Sequence, residues 1–568
     1  CVVSAGLGPA LASLSVDMVG PSKKLVCCRW LHHRVPLAHR EELYHILRMT
    51  GPLLLSRILN YLLPFVVTMF CGRLGNEVMA GYGLASATIN ITTAATGCGL
   101  GLACDTLVAQ TFGGKNLRRV GVILQRGVII LLLFCLPCWG LLINAEAILL
   151  CLGQDPENLL SLQAMFLHHL QVSYLQNQGI IMPQMYTAAL ANIANVVTNY
   201  ICLYWLDLEV SGSAAANTLS QIYICAFLFA YIWWKKLHVN TWGGWSVESL
   251  QEWGSYMKLA IPSTLMKCFE WWVYEFGGFF AGMLSEDELA AQHAVIMVAL
   301  ITYMFPLGIQ AAACVRVGNA LGAGDSARAI LTSKVSLGLA GSIAIVEGLV
   351  LCSTKTVIGF IFTSDEKIVG LVSHLMNAYC FLQFFDGLVC VCTGIFLGTG
   401  KQKIPAVANL IGYYGIGLSL SVTLMFVAKL RVLGFWLGLL ICVVLQSTFY
   451  IIVIFKLNWE RMTEEVCSAG PFEFGIFYRV KTCGDELCGH VVLQQQTGGR
   501  LSTTQLVLRR GLTVFAAVGL LAVGATVHFL VPLTESLSLE ANNTMDWINT
   551  THTPDQISTV LIPLEETD

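Results

Sequence analysis

Long apolar runs alternate with short polar turns along most of the chain. Thirteen of these runs are near the ~20 residues that an α-helix needs to cross a bilayer. Irregular backbone cannot face lipid, so we interpret the runs as transmembrane helices. The predicted spans are at about 51–71, 78–103, 120–143, 159–176, 181–206, 210–234, 256–282, 289–314, 335–354, 368–397, 404–428, 434–456 and 511–532.

The composition supports a protein that lies in a lipid bilayer. Hydrophobic residues make up 56% of the chain and charged residues 12%, and the mean hydropathy is +0.69. Soluble domains carry about 25% charged residues, so a soluble globular protein and a disordered chain are both excluded. The net charge of −3 offers no basic excess, and we expect no nucleic-acid partner. The 21 cysteines do not indicate a disulfide scaffold.

Lysine and arginine predict the orientation of the chain. They concentrate before the first span and in every second turn after it, such as Lys235 and Lys236, whereas the alternate turns are mostly acidic. The positive-inside rule then predicts a cytoplasmic N-terminus. Thirteen crossings leave the tail 533–568 outside the cell, where its sequons at Asn542 and Asn549 would be open to glycosylation.

The sequence repeats at an offset near 210 residues. The segment that begins at Gly51 overlays the one that begins at Ile261, and the polar loop 110–119 overlays 319–328. Each repeat holds six spans, an even number, so both enter the membrane in the same direction. Parallel six-helix halves that meet at a cavity are typical of transporters. We therefore expect an all-α polytopic membrane protein with two parallel six-helix repeats and a thirteenth C-terminal helix.

Spans and turns divide the chain into seven predicted segments. We expect the native chain to begin at Met18, so that residues 1–17 lie outside the fold. The segments are a cytoplasmic N-terminal part (1–50), an N-lobe of six helices (51–234), a cytoplasmic linker with an amphipathic helix (235–255), a C-lobe of six helices (256–456), a cytoplasmic loop (457–510), the thirteenth helix (511–532) and an extracellular tail (533–568).

Polar residues inside a membrane span are costly, and by default they mark functional sites. The seventh span holds Glu270, Tyr274 and Glu275, and the tenth holds Asp386. Glu270 and Tyr274 are four residues apart and share a helix face, whereas Glu275 is rotated toward Trp271. A carboxylate flanked by aromatic rings suits an organic cation, because the acid supplies charge and the ring faces supply cation–π contact.

Other polar residues in the spans have simpler interpretations. Lys267 lies one turn before Glu270 and takes the place of Arg57 in the repeat, so we expect both basic side chains to snorkel to the cytoplasmic interface. A membrane-embedded enzyme is a competing class of function. It would need a cluster of His, Asp or Ser, and the nearest candidates, His168 and His169, have no partner acid in the sequence pattern.

Several longer motifs resemble those of the multidrug and toxin extrusion (MATE) family, specifically its vertebrate branch. They are 103–107 (ACDTL), 120–126 (VGVILQR), 241–246 (TWGGWS), 270–275 (EWWVYE), 315–325 (VRVGNALGAGD) and 505–511 (QLVLRRG). The resemblance implies V-shaped lobes that export small organic cations and xenobiotics from the cell in exchange for protons. It further implies a monomer in the plasma membrane, driven by the proton gradient without a cofactor.

The resemblance also implies roles for individual side chains. Glu270 and Glu275 match family acids needed for transport, and Asp386 falls where the family has an acid in the tenth helix. These three are predicted to couple protons to cations. The residues predicted to bind substrate are Asn90, Trp271, Tyr274, Tyr303 and Gln383.

Three departures from the family pattern modify these expectations. Ile296 and Met297 stand where the family has Tyr-Glu, so one carboxylate fewer should weaken the binding of divalent or doubly coordinated cations, or shift the stoichiometry of exchange. Gln383 replaces a histidine common in relatives, which removes a candidate proton carrier. The fourth span, 157–177, is shorter than in the family and at about 1.5 Å per residue barely crosses a bilayer. We expect an incomplete gene model or a skipped exon to explain the short span.

The sequence alone leaves other functions open. They are a carrier of another solute such as an organic anion, sodium-coupled drug export, a channel, and a membrane-embedded enzyme. Saturable exchange driven by a pH gradient would separate the antiporter from a channel, and formation of a product would reveal an enzyme.

Overall fold

The computed structural model describes residues 36–74, 90–150, 159–206, 209–363, 365–468, 479–483, 486–490 and 501–530. The predicted start at Met18 and the tail with its sequons lie outside these residues. The predicted second span, 78–103, is described from Asn90 onward.

Thirteen long helices in the described residues follow the thirteen predicted spans in order. The first half contains α1 (Leu37–Leu74), α2 (Ala95–Gly113, preceded by the π-helical turn Asn90–Ala94), α3 (Leu117–Leu150), α4 (Leu159–Gln176), α5 (Met182–Tyr200, continued as a π-helix over Ile201–Trp205) and α6 (Glu209–Trp234). The second half contains α7 (Trp253–Leu284), α8 (Glu286–Gly322), α9 (Ser326–Thr354), α10 (Glu366–Thr399), α11 (Lys403–Val427) and α12 (Arg431–Lys456). The short helix α13 (Trp459–Ser468), the antiparallel strands β1 (Arg479–Cys483) and β2 (Glu486–His490), and helix α14 (Thr503–Leu530) follow.

Nine of the described helices are long and apolar enough to cross a membrane by themselves. The four that fall short of this measure are α2, α4, α5 and α7. Helix α7 falls short because Lys267, Glu270 and Glu275 lie within it. Charged groups of this kind need partners in the protein interior, since hydrocarbon offers none. The predicted architecture of two parallel six-helix halves with a thirteenth helix is confirmed for the membrane part, whereas the strands β1 and β2 in the loop before α14 depart from the all-α prediction.

Polar caps fix where several C-lobe helices begin. Ser285 accepts a hydrogen bond from the backbone N–H of Glu288 at the start of α8. Asp325 does the same for the N–H of Arg328 in α9, at 2.9 Å. Such side chains satisfy backbone N–H groups that have no partner within the helix. The polar turns between spans therefore act as helix starts, and this extends the helices beyond the apolar runs.

The two halves meet through α1 and α2 of the N-lobe and α7 and α8 of the C-lobe. We call the membrane face at which α1 begins the N-face; α2 and α8 both end there. Close approach depends on glycine, because a Cβ atom on Gly113 would collide with the backbone of Asn319, and one on Gly322 with that of Gln110. The lobes are thus packed tightly at the N-face.

The linker between the lobes differs from the prediction. Its only helical part between α6 and α7 is the 3-10 turn Val247–Leu250, so the amphipathic helix predicted within 235–255 is wrong. The backbone turns at Gly244, which has a positive φ of 87°. The side-chain amide of Gln125 in α3 then holds the linker: its NH2 group donates a 2.7 Å hydrogen bond to the Gly244 carbonyl, and its oxygen accepts a 3.0 Å hydrogen bond from the Ser246 N–H.

The thirteenth helix, α14, lies against α3 of the N-lobe. Gly140 and Gly524 let the two backbones come into contact, as small residues do between membrane helices. At its other end, the Arg510 guanidinium lies 4.0 Å from the centre of the Trp253 ring and donates a 2.8 Å hydrogen bond to the Leu250 carbonyl. Helix α14 therefore docks on the outside of the N-lobe.

Candidate transport site

The centre of the candidate site is the carboxylate of Glu270 in α7. Its Oε2 atom forms an ion pair with Lys267 Nζ at 2.9 Å, and its Oε1 atom accepts a 2.8 Å hydrogen bond from the Tyr303 hydroxyl of α8. The side chains of Lys267 and Glu270 are only 11% and 13% exposed. Both carboxylate oxygens thus have partners in a nearly dry environment.

Helix periodicity places the polar residues of α7 on one face. Lys267, Glu270 and Tyr274 recur at intervals of three and four residues and point in the same direction. The neighbouring face is aromatic: the rings of Phe269 and Phe276 pack edge-on against Tyr414 of α11, with centroids 5.4 and 6.3 Å away. Packing of α7 against α11 therefore orients Glu270 toward α8 and α10.

Asp386 of α10 is the second acid of the site. It lies close enough to Glu270 and Lys267 for the three charges to interact. Within the described part of the chain, its carboxylate forms no hydrogen bond or ion pair, so it is the acid left free by Lys267. Four phenol rings also lie within electrostatic range of Asp386: Tyr274, Tyr303, Tyr379 and Tyr413.

Glu275 and Trp271 lie on a different face of α7. They continue the row formed by Thr264 and Cys268, which approach α2 at Gly99 and Thr96. Both side chains are exposed, Trp271 by 39%. The structure therefore divides the two acids of α7, with Glu270 inside the C-lobe and Glu275 on the face that is directed at the N-lobe.

Two predicted binding residues lie elsewhere. Gln383 is buried and donates a 2.7 Å hydrogen bond to the Ala344 carbonyl, which joins α10 to α9 rather than to the two acids. Asn90 begins the π-helical turn that precedes α2, and its side chain is outside the described residues. Tyr274 and Tyr303, in contrast, lie with Glu270 and Asp386.

Position 297, where the family pattern has an acid, contacts the N-lobe. The Tyr61 hydroxyl of α1 lies 3.9 Å from the Met297 sulfur of α8. This is a weak contact between the two lobes. The carboxylate missing from α8 would therefore face α1, on the same interface as Glu275 and away from the Glu270 carboxylate.

The snorkelling predicted for Lys267 is wrong. Its ammonium group points to Glu270 within the bilayer region instead of toward the membrane surface. The signal was present in the sequence, because residues three apart on a helix can form an ion pair. The interpretation of the two histidines also needs correction, since Asp105 of α2 lies within electrostatic range of His169.

Comparison with known proteins agrees with this architecture. The MatE family profile matches residues 52–201 and 262–423, which correspond to the two repeats. Multidrug and toxin extrusion protein 1 of Danio rerio is 44% identical, with 88% of this chain and 92% of the relative covered. The Mus musculus protein of the same name is 48% identical over 75% of this chain and 77% of its own length.

The fold also has experimentally determined relatives. The crystal structure of the eukaryotic MATE transporter AtDTX14 superimposes with a TM-score of 0.72 and 24% sequence identity, and the match covers 76% of this chain and 99% of that one. The profile match, the relatives and the shared fold agree on one assignment. The chain belongs to the MatE family of multidrug and toxin extrusion transporters.

Proposed function

We propose that the protein is an antiporter that exchanges protons for small organic cations across the plasma membrane. Family membership supports a transporter rather than an enzyme. The observation that carries the finer proposal is the pair of acids Glu270 and Asp386, held within electrostatic range of each other inside the C-lobe and surrounded by phenol rings.

The two acids explain how protons and drug would be coupled. A buried carboxylate is costly unless a proton or a cation neutralises it. Either ligand can do so, but one carboxylate cannot hold both at once. A proton that arrives therefore releases the organic cation, and the cation displaces the proton. Alternating access of the two lobes then turns this competition into directional exchange.

Aromatic residues would provide the contact with the drug. Tyr274 lies on the same face of α7 as Glu270, and Tyr303 donates a hydrogen bond directly to it. Their ring faces suit quaternary and aromatic cations through cation–π and apolar contact. Glu275 and Trp271, on the face directed at the N-lobe, would meet the cation on its way into or out of the site.

We propose that the N-terminus is cytoplasmic and the tail 533–568 extracellular, as the basic and acidic turns indicate. The tight N-face would then be the cytoplasmic side, and the lobes would be closed there. Each chain carries both repeats and the complete set of acids, so a monomer suffices. Treatment with a glycosidase should lower the apparent mass of the protein at the cell surface, and the variant Asn542→Gln/Asn549→Gln should show no such change. Protection of the tail from protease on intact cells would contradict this orientation.

The direct test of the function is uptake of a fluorescent organic cation into membrane vesicles. Vesicles that contain the protein should accumulate the cation when the lumen is acidic and release it when the lumen is alkaline, with saturation at high cation concentration. A sodium gradient without a pH gradient should have no effect. Uptake that follows sodium, or that neither saturates nor responds to pH, would contradict the proposal.

A further inference from the structure

We propose that Lys267 is a built-in cation that makes the transport site selective for organic cations with a single positive charge. The inference rests on the proposed function, because it specifies which cations the antiporter accepts. It starts from one contact, the 2.9 Å ion pair between Lys267 and Glu270 at the centre of the site. The ammonium group already occupies the place that a substrate cation would take.

Three side chains provide the charges of the site. When both acids are ionised, Glu270 and Asp386 contribute two negative charges and Lys267 one positive charge, all within electrostatic range of one another. The other titratable groups within electrostatic range of these three are phenols and thiols, which are neutral at pH 7: Tyr274, Tyr303, Tyr379, Tyr413, Tyr450, Cys98, Cys390 and Cys442. The site therefore carries one net negative charge.

Arg57, the counterpart of Lys267 in the first repeat, does not contribute its charge to the C-lobe site. Its charge reaches Cys98, His168 and His169 of the N-lobe. Lys267 also lies within range of Cys98, so the two basic residues approach the same thiol from opposite lobes. Only Lys267, however, forms an ion pair with an acid of the C-lobe site.

One net negative charge has a direct consequence for substrates. A singly charged organic cation neutralises the site, whether it binds at Asp386 or displaces Lys267 from Glu270. If it displaces Lys267, the ammonium group still lies within electrostatic range of Asp386. A doubly charged cation would leave an uncompensated positive charge in a region with little water, which is strongly unfavourable. Dications are therefore excluded by charge rather than by size.

A purely structural role for Lys267 does not explain its position. A lysine that only stabilised the helix could extend along α7 to the interface, where water solvates its charge at low cost. Instead it is 11% exposed and shares Glu270 with the Tyr303 hydroxyl. Its partner is the acid that the transport mechanism uses, so any effect of Lys267 on that acid reaches the substrate.

The test compares the binding of two quaternary ammonium ions whose charge does not change with pH. Tetraethylammonium carries one charge and hexamethonium two. Their dissociation constants are measured on the full-length protein in detergent, without any gradient, for the wild type and three variants. Lys267→Met gives two net negative charges, Lys267→Arg keeps one, and Lys267→Met/Glu270→Gln restores one.

In the wild type and Lys267→Arg, we expect tetraethylammonium to bind at least tenfold more tightly than hexamethonium. Lys267→Met should reduce or reverse this preference by about tenfold or more, and the double variant should restore it. Lys267→Gln is the second neutral variant should Lys267→Met fail to fold. An unchanged ratio in a folded neutral variant, or a double variant that behaves like Lys267→Met, would overturn the inference.

The same data separate this inference from the proposed function. A wild type that binds tetraethylammonium but has a ratio insensitive to position 267 rejects only the role of Lys267. A wild type that neither binds tetraethylammonium nor exchanges it for protons in vesicles rejects the cation antiporter itself, and the inference with it.

Discussion

Arg316 of α8 donates two hydrogen bonds of 2.5 Å to the carboxylate of Glu42, which lies 274 positions earlier in α1. Thr332 of α9 donates a third to the same carboxylate at 2.6 Å. Glu42 is 5% exposed and Arg316 12%. A bidentate pair of this kind is geometrically specific. It fastens the first helix of the N-lobe to two helices of the C-lobe at the N-face.

Breaking this pair should destabilise the protein. Arg316→Met leaves the Glu42 carboxylate buried without its main partner, and removal of one member of a buried ion pair costs about 3–5 kcal/mol. We expect a lower midpoint of thermal unfolding in detergent and lower surface expression. The double variant Glu42→Gln/Arg316→Met should recover part of the loss, because no buried charge is then left unpaired and Arg328, which also pairs with Glu42, is half-exposed to water.

An exposed ion pair provides the matched control. Arg461 and Glu465 of α13 pair at 3.1 Å, but their side chains are 76% and 48% exposed. Exposed pairs contribute little to stability. Arg461→Met should leave the unfolding midpoint unchanged. If it lowers the midpoint as much as Arg316→Met does, the buried pair has no special role at the N-face.

The hydrogen bond from Tyr303 should position Glu270 for the cation. Tyr303→Phe removes the 2.8 Å contact to Oε1 without changing the ring. A hydrogen bond to a charged group contributes about 1.5–3 kcal/mol, which corresponds to about tenfold or more in an equilibrium constant. We expect a rise of about tenfold in the KM for tetraethylammonium, with the maximal rate little changed.

Tyr61→Phe is the corresponding control for the loss of a phenol hydroxyl. Among the residues that the structure describes, the hydrogen-bond partner of its hydroxyl is the Met297 sulfur, at 3.9 Å. The KM of this variant should equal that of the wild type. Equal KM values for Tyr303→Phe and the wild type, at matched surface expression, would show that Tyr303 does not position the acid.

Transport should not need the thirteenth helix. Helix α14 packs on α3 and the linker, on the outside of the N-lobe, and contributes no residue to the C-lobe site. Truncation is best placed after Ser468, because α13 packs on α8 and α9 and its Trp459 is buried. The truncated protein should retain cation exchange in vesicles at the rate of the full chain. Correctly inserted but inactive protein would refute this.

Much of the fold could be predicted because most transmembrane helices are visible in the sequence as long apolar runs. Predicted span 159–176 coincides with α4, Leu159–Gln176, and 404–428 is one residue from α11, Lys403–Val427. Helical segments that contain no apolar run are harder to predict. Helix α1 begins at Leu37, well before the predicted 51, since its first turns are polar and gain stability from the Glu42 ion pair rather than from lipid.

The candidate site was predictable by residue but not by geometry. Glu270, Tyr274 and Asp386 were selected because polar groups in a span are costly, and they lie together in the C-lobe. The sequence does not predict the ion pair between Lys267 and Glu270, because a lysine three residues before an acid can either pair with it or snorkel to the membrane surface. Gln383 is a polar residue within a span and belongs to the predicted binding residues, yet its partner is a backbone carbonyl on a helix that the sequence does not place beside it.

The two acids should respond differently to loss of charge. Asp386→Asn should weaken exchange and change its pH dependence, because Lys267 and a second cation then compete for Glu270 alone. Asp386→Glu should be tolerated, since it retains the charge in the same part of α10. pH-dependent uptake of tetraethylammonium into vesicles measures both. Wild-type uptake by Asp386→Asn across the pH range would contradict the role of this acid.

The competition of proton and cation for the Glu270 carboxylate is tested most directly with the variant Glu270→Gln. The measurement is uptake of tetraethylammonium into acid-loaded vesicles at matched surface expression. The substitution keeps the size of the side chain and a hydrogen-bond acceptor for Tyr303, but it removes the charge for which proton and cation compete. We expect uptake by Glu270→Gln at the level of vesicles without the protein at every external pH. Uptake by Glu270→Gln with the wild-type rate and pH dependence would show that Glu270 is not the coupling acid.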